Sequence, residues 1–460
     1  MPGAGRRVVS AIMFYPRGGS SHGARAFARR LPREGWRTTL VSGSRSDAGA
    51  LRDARHFYDD VSDLRVVDFT ASLRAADPLD PPAGAVPLQP SYEDRPGAPD
   101  VVFARLDDAA LVRQTRAWAQ VLDKAGAGGA AVLHLHHLTP LNAAAALVAP
   151  GVPIVAHLHG TELLMAERIA AGAPASWTHA AAWGERLRGW AQAAQLVVIA
   201  TPRGARRAAR VLELPHERIA LVPNGVDARR FSPAGIDRDA LWRRVLLDEP
   251  RGWLPGGEPG TWRAQPQDVA ALSHDVVLLA AGRFTAVKRL PQLIAAFDEV
   301  RRRLGGCGVS LVLVGGHPGE WEGEHPAQTI ERLGARGVLL AGWYDHDELP
   351  ALLRASDAVV LASERESFGL VLVEGMACER PAIAMRAGGP AEIVRDGETG
   401  WLVEPGDDEH LVAALIAATN DRSERERRGR LAREDVLARF TWSAVTHRLA
   451  LVLDEAATRS

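Results

Sequence analysis

The chain is predicted to be an α/β protein of two doubly wound domains, and three observations predict it. Short apolar runs recur without polar alternation, which is the pattern of strands buried on both faces of a parallel sheet. Segments of helical period separate these runs. The length, 460 residues, exceeds what one core holds and suits two domains of roughly 200 residues each.

The strand candidates of the first half are residues 8–14, 38–42, 65–69, 131–136, 153–157 and 196–200. Those of the second half are 276–281, 309–314, 337–341, 358–362, 381–385 and 401–403. Between them, Ala24, Phe27, Ala28 and Leu31 fall at i, i+3, i+4 and i+7, as do Leu290, Leu293, Ile294 and Phe297. Each set puts one apolar stripe on one helix face. Strand and helix alternate through both halves, as doubly wound sheets require. The domains are placed at 1–215 and 216–425, the boundary lying in LELPHERIALVPNGVDARRF, where Pro223-Asn224-Gly225 signals a turn. Residues 77–100, rich in Pro, Asp and Gly, read as a surface loop. Residues 234–275 carry Trp242, Trp253 and Trp262 among Gly and Pro and read as a functional loop or an inserted subdomain. Residues 426–460 close the chain as a helical tail. The stretch 422–439 is a charged helix with Leu431, Val436 and Leu437 as its apolar side.

Composition excludes several classes. There are 55 basic and 56 acidic residues, a net charge of −1, so charge predicts no nucleic-acid partner. Two cysteines, Cys307 and Cys378, are too few for a disulfide framework and suit a reducing cytoplasm. The apolar run near the N-terminus ends in Tyr-Pro-Arg-Gly-Gly rather than at a small-residue cleavage site, so it reads as a first buried strand rather than a signal peptide. No stretch of about 18 apolar residues predicts a membrane span. Basic residues within 25–33 and 203–210 would suit a membrane surface or an anionic acceptor, but read more readily as solvated helix faces.

Four stretches carry the chemistry. In the first, Glu366-Ser367-Phe368-Gly369-Leu370 follows a strand candidate and Glu374 comes just after. A helix starting near Gly369 would leave the amides of Phe368, Gly369 and Leu370 unpaired at its positive end, an anion site suited to a diphosphate. Gly369 allows close approach. Glu374, about a turn further on, would take two ribose hydroxyls, and Glu366 a sugar hydroxyl. The alternative is a solvated glutamate and a second one on a helix face. In the second stretch, Arg283 and Lys288 lie just after the strand candidate 276–281, at the edge where doubly wound sheets bind ligands. Both would reach one diphosphate, Arg as a fork and Lys as a point charge. Two solvated cations are the plain alternative. The third stretch is the pair Gly18-Gly19 after the first strand, either a close-approach site at a helix start or an ordinary turn.

The fourth is a histidine cluster: His134, His136 and His137, then His157 and His159 within HLHGTE. No convergent carboxylate or cysteine set accompanies it, so no metal is expected. His136, His159, Thr161 and Glu162 are the candidate acceptor-site groups, while His134 and His157 read as buried core histidines. Two look-alikes are set aside. Gly126-Ala-Gly128-Gly precedes a strand, whereas a dinucleotide fingerprint must follow one. Asp345-His346-Asp347 lies where a helix is expected to begin and reads as helix capping.

Together these residues resemble glycosyltransferase family 4. Over about residues 219–407, LVPNGVD, AGRFTAVKRL, the two glutamates flanking SFG, and AGGPAEIVRDGETGWLVEPGD occur in the family's order. The N-terminal half contributes the glycine pair and His159-Gly160. The resemblance implies the GT-B architecture of two facing Rossmann-like domains, a bacterial retaining hexosyltransferase, a nucleotide-sugar donor, an acceptor hydroxyl, and neither metal nor other cofactor. It implies that Arg283 and Lys288 bind the donor diphosphate, Glu366 the donor sugar and Glu374 the ribose, with amides from Gly369 and Leu370. It further implies that Gly18 and Gly19 line the floor near donor phosphate and acceptor, that His159 sits beside the anomeric carbon, and that the tail helix returns to the first domain. Residues 343–349 are expected to contact the base. The insertion 234–275 departs from the family's pattern. Rival readings are a sugar-nucleotide epimerase, a phosphorylase and a non-catalytic nucleotide-sugar binding module. A nicotinamide oxidoreductase lacks its fingerprint.

Overall fold

The computed structural model describes residues 6–16, 18–47, 49, 52–93, 99–306 and 308–459; Cys307 lies outside them. The chain divides into two compact units. One comprises Met1–Asn224 with Trp442–Ser460, and the other Gly225–Thr441.

The first unit is built on a seven-stranded parallel sheet: β1 (Arg6–Ile12), β2 (Trp36–Ser44), β3 (Leu64–Asp68), β4 (Val132–His136), β5 (Ile154–His157), β6 (Leu196–Ile199) and β7 (Ile219–Leu221), in the order β3-β2-β1-β4-β5-β6-β7. The order reverses direction between β1 and β4. The second unit has a six-stranded parallel sheet: β8 (Val276–Gly282), β9 (Val309–Gly315), β10 (Val338–Gly342), β11 (Ala358–Leu361), β12 (Ala382–Met385) and β13 (Gly400–Val403), in the order β10-β9-β8-β11-β12-β13. Its reversal falls between β8 and β11. Loops leaving the carboxyl ends of strands on either side of such a reversal diverge and leave a crevice, where ligands of doubly wound sheets bind. Every apolar run that predicts a strand forms one. The stripes sit as expected too: Ala24, Phe27, Ala28 and Leu31 are buried, and so are Leu293, Ile294 and Phe297.

Five expectations are corrected. The division falls after Asn224 rather than after residue 215, because the three residues of β7 pair with β6 and complete the first sheet. The tail divides at Thr441. The helix Arg422–Arg439 belongs to the second unit, and the helix Trp442–Thr458 to the first. There Val445, Leu449 and Leu453 pack with Val8, Phe27, Val132 and Val198. On the charged helix Ala432 and Val436 are buried, but Leu437 is exposed.

Of the stretch 77–100, residues 94–98 lie outside the described residues, and the rest is not wholly a surface loop. Gln89 is fully buried and accepts the Tyr15 amide at 2.9 Å, and the Tyr92 hydroxyl donates to the Leu138 carbonyl at 2.6 Å. Nor is the insertion a free subdomain. The helix Arg238–Arg243 runs into a π-helical turn, Arg244–Asp248, and a second helix spans Pro266–Ala271. Two of its tryptophans are pegs in the unit's own core. The indole of Trp242 donates to the Ala355 carbonyl at 3.3 Å and that of Trp253 to the Gly316 carbonyl at 2.8 Å. Buried indoles need such acceptors, because an unpaired buried N–H is costly.

Candidate functional site

In the second unit the crevice between β8 and β11 gathers the residues singled out from sequence. Gly282 ends β8 with φ +154, and the chain turns through Arg283 into the single turn Ala286–Lys288. Lys288 folds back over Gly282: a Cβ there would stand 3.2 Å from the lysine Cε. The ammonium of Lys288 then meets Oε2 of Glu366 at 2.6 Å, joining the loop after β8 to the loop after β11. Each side chain keeps about a fifth of its surface open, 21% and 20%, so the pair is accessible to a ligand. A second ion pair, Arg289 with Glu364, ties the same two loops, and Oε1 of Glu364 also accepts the Gly406 amide at 3.1 Å. Arg283 stays exposed on the loop.

The helix Leu370–Ala377 begins where the sequence places it, with Gly369 as its N-cap at φ +100. That conformation favours glycine. Side chains do not cap this end, so the amides of its first turn and the positive end of the helix dipole are left as the groups an anion would meet. Ser367 and Phe368 lead into it, Phe368 buried. The Gly388-Gly389 pair makes the approach possible from the far side: a Cβ on Gly388 would stand 2.2 Å from the Glu366 carbonyl oxygen, and one on Gly389 2.3 Å from that of Phe368. Ser363, at the end of β11, is fully buried, and its hydroxyl has no hydrogen-bond partner among the described residues.

Glu374 is buried and not alone. His346 Nε2 approaches its Oε1 at 2.6 Å. This corrects the reading of 345–347 as helix capping. The helix Leu349–Arg354 has Glu348 as its N-cap, with no side-chain cap bond. Asp347 pairs with Arg230. His346 lies within residues 343–349, which the resemblance places at the base, but its pairing with Glu374 was not anticipated, and Arg289, Glu364 and Ser363 were not singled out. Local sequence carries no signal for the His346–Glu374 and Arg289–Glu364 pairs, since each partner is remote in the chain.

In the first unit the histidine cluster forms at the ends of β4 and β5. The register pairs His136 with His157 across the strands, and His134 and His136, two apart, share a sheet face. Ser10 Oγ lies 3.2 Å from His134 Nδ1, His134 Nε2 3.1 Å from His157 Nδ1, and His136 Nδ1 3.0 Å from His159 Nε2. The rings of His157 and His159 stack at 4.8 Å with 3° between planes. Burial favours the neutral form of all four, His159 being the least enclosed of them. It pushes His134 down to about 3, and His136, His157 and His159 well below the usual histidine range, neighbouring imidazoles adding to the effect. Ring nitrogens of His134, His136 and His157 come within 4.8 Å of one another. A metal could use such a grouping, but the His134–His157 contact is already explained as a hydrogen bond.

Two acceptor-site candidates are corrected. Glu162 is fully buried, and its carboxylate is taken up by the loop: it accepts the amides of His159 at 3.2 Å and Gly160 at 2.9 Å and meets His137 Nδ1 at 2.5 Å. It shapes the loop instead of presenting a face to a ligand. His136 is likewise fully buried and supports His159 from below. His137 takes the uncommon left-handed backbone at φ +67, a strain of the sort found at functional sites. His159 and Thr161 remain partly exposed. Gly18 caps the helix Gly19–Arg30 in extended conformation, with open space where a Cβ would stand.

Residues 17–230 match the family model described as Glycosyltransferase Family 4, and residues 263–435 the one described as Glycosyl transferases group 1. The chain is 35% identical over 165 residues to N-acetyl-alpha-D-glucosaminyl L-malate synthase of Bacillus anthracis, a match covering 36% of this chain and 41% of that protein. It is 29% identical over 266 residues to D-inositol 3-phosphate glycosyltransferase of Corynebacterium diphtheriae, 57% of each. The matches thus span from two fifths to under three fifths of these relatives' lengths. Among solved structures, Anabaena HepE in complex with UDP and glucose superposes with a TM-score of 0.67 at 18% identity, covering 98% of this chain and 100% of that one. Sucrose-phosphate synthase from Thermosynechococcus elongatus does so with 0.67 at 17%, covering 99% and 100%. At such identity the likeness shows the fold alone. Each unit being a doubly wound domain of the GT-B type and each half matching a glycosyltransferase model, the chain belongs to glycosyltransferase family 4.

Proposed function

We propose that this protein transfers a hexose from a nucleoside diphosphate sugar to an acceptor hydroxyl, with retention at the anomeric carbon and without a metal. The observation that carries the reading is the Lys288–Glu366 pair at the sheet's switch point, next to the open first turn of the helix Leu370–Ala377. Cations and oriented amides there match a diphosphate, and a carboxylate among them matches sugar hydroxyls. Relatives of the chain include enzymes named as glycosyltransferases, and HepE is described with UDP and glucose.

In this mechanism Lys288, Arg283 and the amides of Gly369 and Leu370 take up charge on the departing diphosphate as the bond from the anomeric carbon to the phosphate oxygen breaks. The acceptor oxygen bonds to that carbon on the same face, and its proton passes to the leaving oxygen. Glu366 orients the sugar through its hydroxyls while held by Lys288. The His346–Glu374 pair receives the ribose. In the first unit, His159, kept neutral by burial and held by His136, is the group offered to the acceptor, with Thr161 beside it and Gly18-Gly19 leaving room for backbone approach. No helix among the described residues is long and apolar enough to cross a membrane.

The test is turnover. A matched nucleotide sugar should raise the melting temperature, by a stabilisation of about 2.7 kcal/mol at a hundred times its Kd. With an acceptor it should yield a product of unchanged anomeric configuration by NMR. Glu366→Ala should then lower turnover, whereas a pure binding module would show ligand-dependent stabilisation and no transfer in the parent protein. Incubation with EDTA should leave the rate unchanged. Loss of rate restored by zinc or magnesium would refute the metal-free reading.

A further inference from the structure

The insertion builds a pocket at the far end of the second sheet. Arg251 forms a bridge with Gly342, the last residue of β10. Its guanidinium meets both carboxylate oxygens of Glu348, at 2.9 and 3.1 Å, and lies over the Tyr344 ring at 4.3 Å. The two segments press so closely that a Cβ on Gly342 would stand 2.0 Å from the Arg251 carbonyl oxygen. Underneath, Trp253 is buried. Besides bonding to Gly316, it stacks on Phe284 of the loop after β8, at 5.9 Å with 19° between planes. The insertion is thus fixed to the loops after β8, β9 and β10 at once.

What it encloses is a pocket of about 510 Å³, bounded by Arg251, Gly257 and Glu258 of the insertion and by His317, Trp343 and Asp345 of the loops after β9 and β10. Its size is that of a small-molecule site. Trp343 leaves 38% of its surface open, unusual for so large an apolar ring, with His317 edge-on at 5.9 Å. An open indole against a pocket suits a planar heterocycle. Trp343 and Asp345 share their loop with His346, which meets Glu374 in the helix that starts just after Glu366. Pocket, ribose candidate and phosphate site therefore all lie on loops at the carboxyl ends of the same sheet, the first two joined through the loop of Trp343 and His346.

We propose that the insertion is the wall that selects the nucleobase of the donor. The base lies against Trp343. The Glu258 carboxylate and the backbone of residues 256–259 meet its hydrogen-bonding edge, where a carboxylate accepts from an N–H donor and rejects a carbonyl. This rests on the nucleotide-sugar reading of the same unit and adds the source of discrimination between bases.

The experiment titrates the full chain by calorimetry with UDP, GDP, ADP, CDP and TDP, and separately with inorganic pyrophosphate. The parent protein should prefer one nucleotide by about tenfold or more over the next, the scale of a hydrogen-bond difference. Replacing residues 255–259 by Gly-Ser-Gly should compress that preference to about threefold or less, with pyrophosphate binding unchanged. Glu258→Ala, an exposed position that cannot unfold the unit, should relax the preference in the same direction and keeps the test decisive if the loop exchange does not fold. Undiminished preference in either folded variant overturns the inference while leaving the donor reading intact, as does a parent protein that binds all five alike. A parent protein that binds none of them overturns both.

Discussion

Lys288→Ala is expected to lower turnover by about two to three orders of magnitude, and Arg283→Ala by a comparable factor, with the fold intact. A donor group aimed at charge that develops only in the transition state is worth roughly 3–4 kcal/mol, a hundred- to thousandfold in rate. Lys288 is placed for that. It lies at the switch point of the second sheet, on the loop after β8, and reaches across to Glu366 at 2.6 Å. Neither residue is part of the apolar core, so the fold does not depend on them. Alanine at 288 also leaves Glu366 without its cation, and on the proposed reading the carboxylate would then repel the donor diphosphate. The loss should therefore appear in kcat as well as in kcat/KM, because the interaction strengthens as charge moves onto the leaving group. Lys288→Arg should recover part of the rate, since the charge returns in a different geometry. Steady-state kinetics with circular dichroism as a fold control decides it. Unchanged kcat/KM in both alanine variants would refute the assignment of this crevice to the donor.

Acidification is expected to destabilise the protein between about pH 6.5 and 5.5, through the first unit. His134, His136, His157 and His159 are held neutral by burial, with folded pKa values below the ordinary one. Unfolded, each titrates near 6.5. For a histidine whose folded pKa is depressed, the unfolded chain binds more protons below pH 6.5. The stabilisation is therefore fully present above that pH and is lost as pH falls towards the folded value. Below pH 6.5 each such histidine favours the unfolded chain, and the cost is set against a domain stability of only roughly 5–15 kcal/mol. His137 and Glu162 also face the cluster, their contact at 2.5 Å bordering the same loop. The melting temperature of the full chain at pH 7.5, 6.5 and 5.5 measures the effect. A flat profile would mean that the imidazoles are not kept neutral by burial.

Strands and helix stripes were legible because burial on both faces of a parallel strand leaves an unbroken apolar run in the chain itself. β7 was not, because three residues, Ile219–Leu221, make too short a run to stand apart from a linker. The helix start at the candidate anion site was legible for a similar local reason: a glycine after a strand and before an apolar helical run marks a turn into a helix, and Gly369 does cap the helix at φ +100. Glu162 misled because a carboxylate after His-Gly-Thr looks available. Only the fold shows it turned inward onto the amides of its own loop. Residues 345–347 misled because an Asp-rich start before an apolar run is a capping signal, whereas the partner of His346 is Glu374, 28 residues away.

The amino-acid sequence alone determined the two doubly wound units, the place of the switch-point loops and the order of motifs that marks the family, since each is written in neighbouring residues through burial period and turn chemistry. The tertiary structure alone decided which ends meet. Lys288 finds Glu366 across 78 residues because β8 and β11 lie side by side, His136 props His159 through the β4–β5 register, and the insertion closes a pocket against Trp343. Such partnerships depend on strand order and on the packing of whole elements, and local pattern contains no term for either.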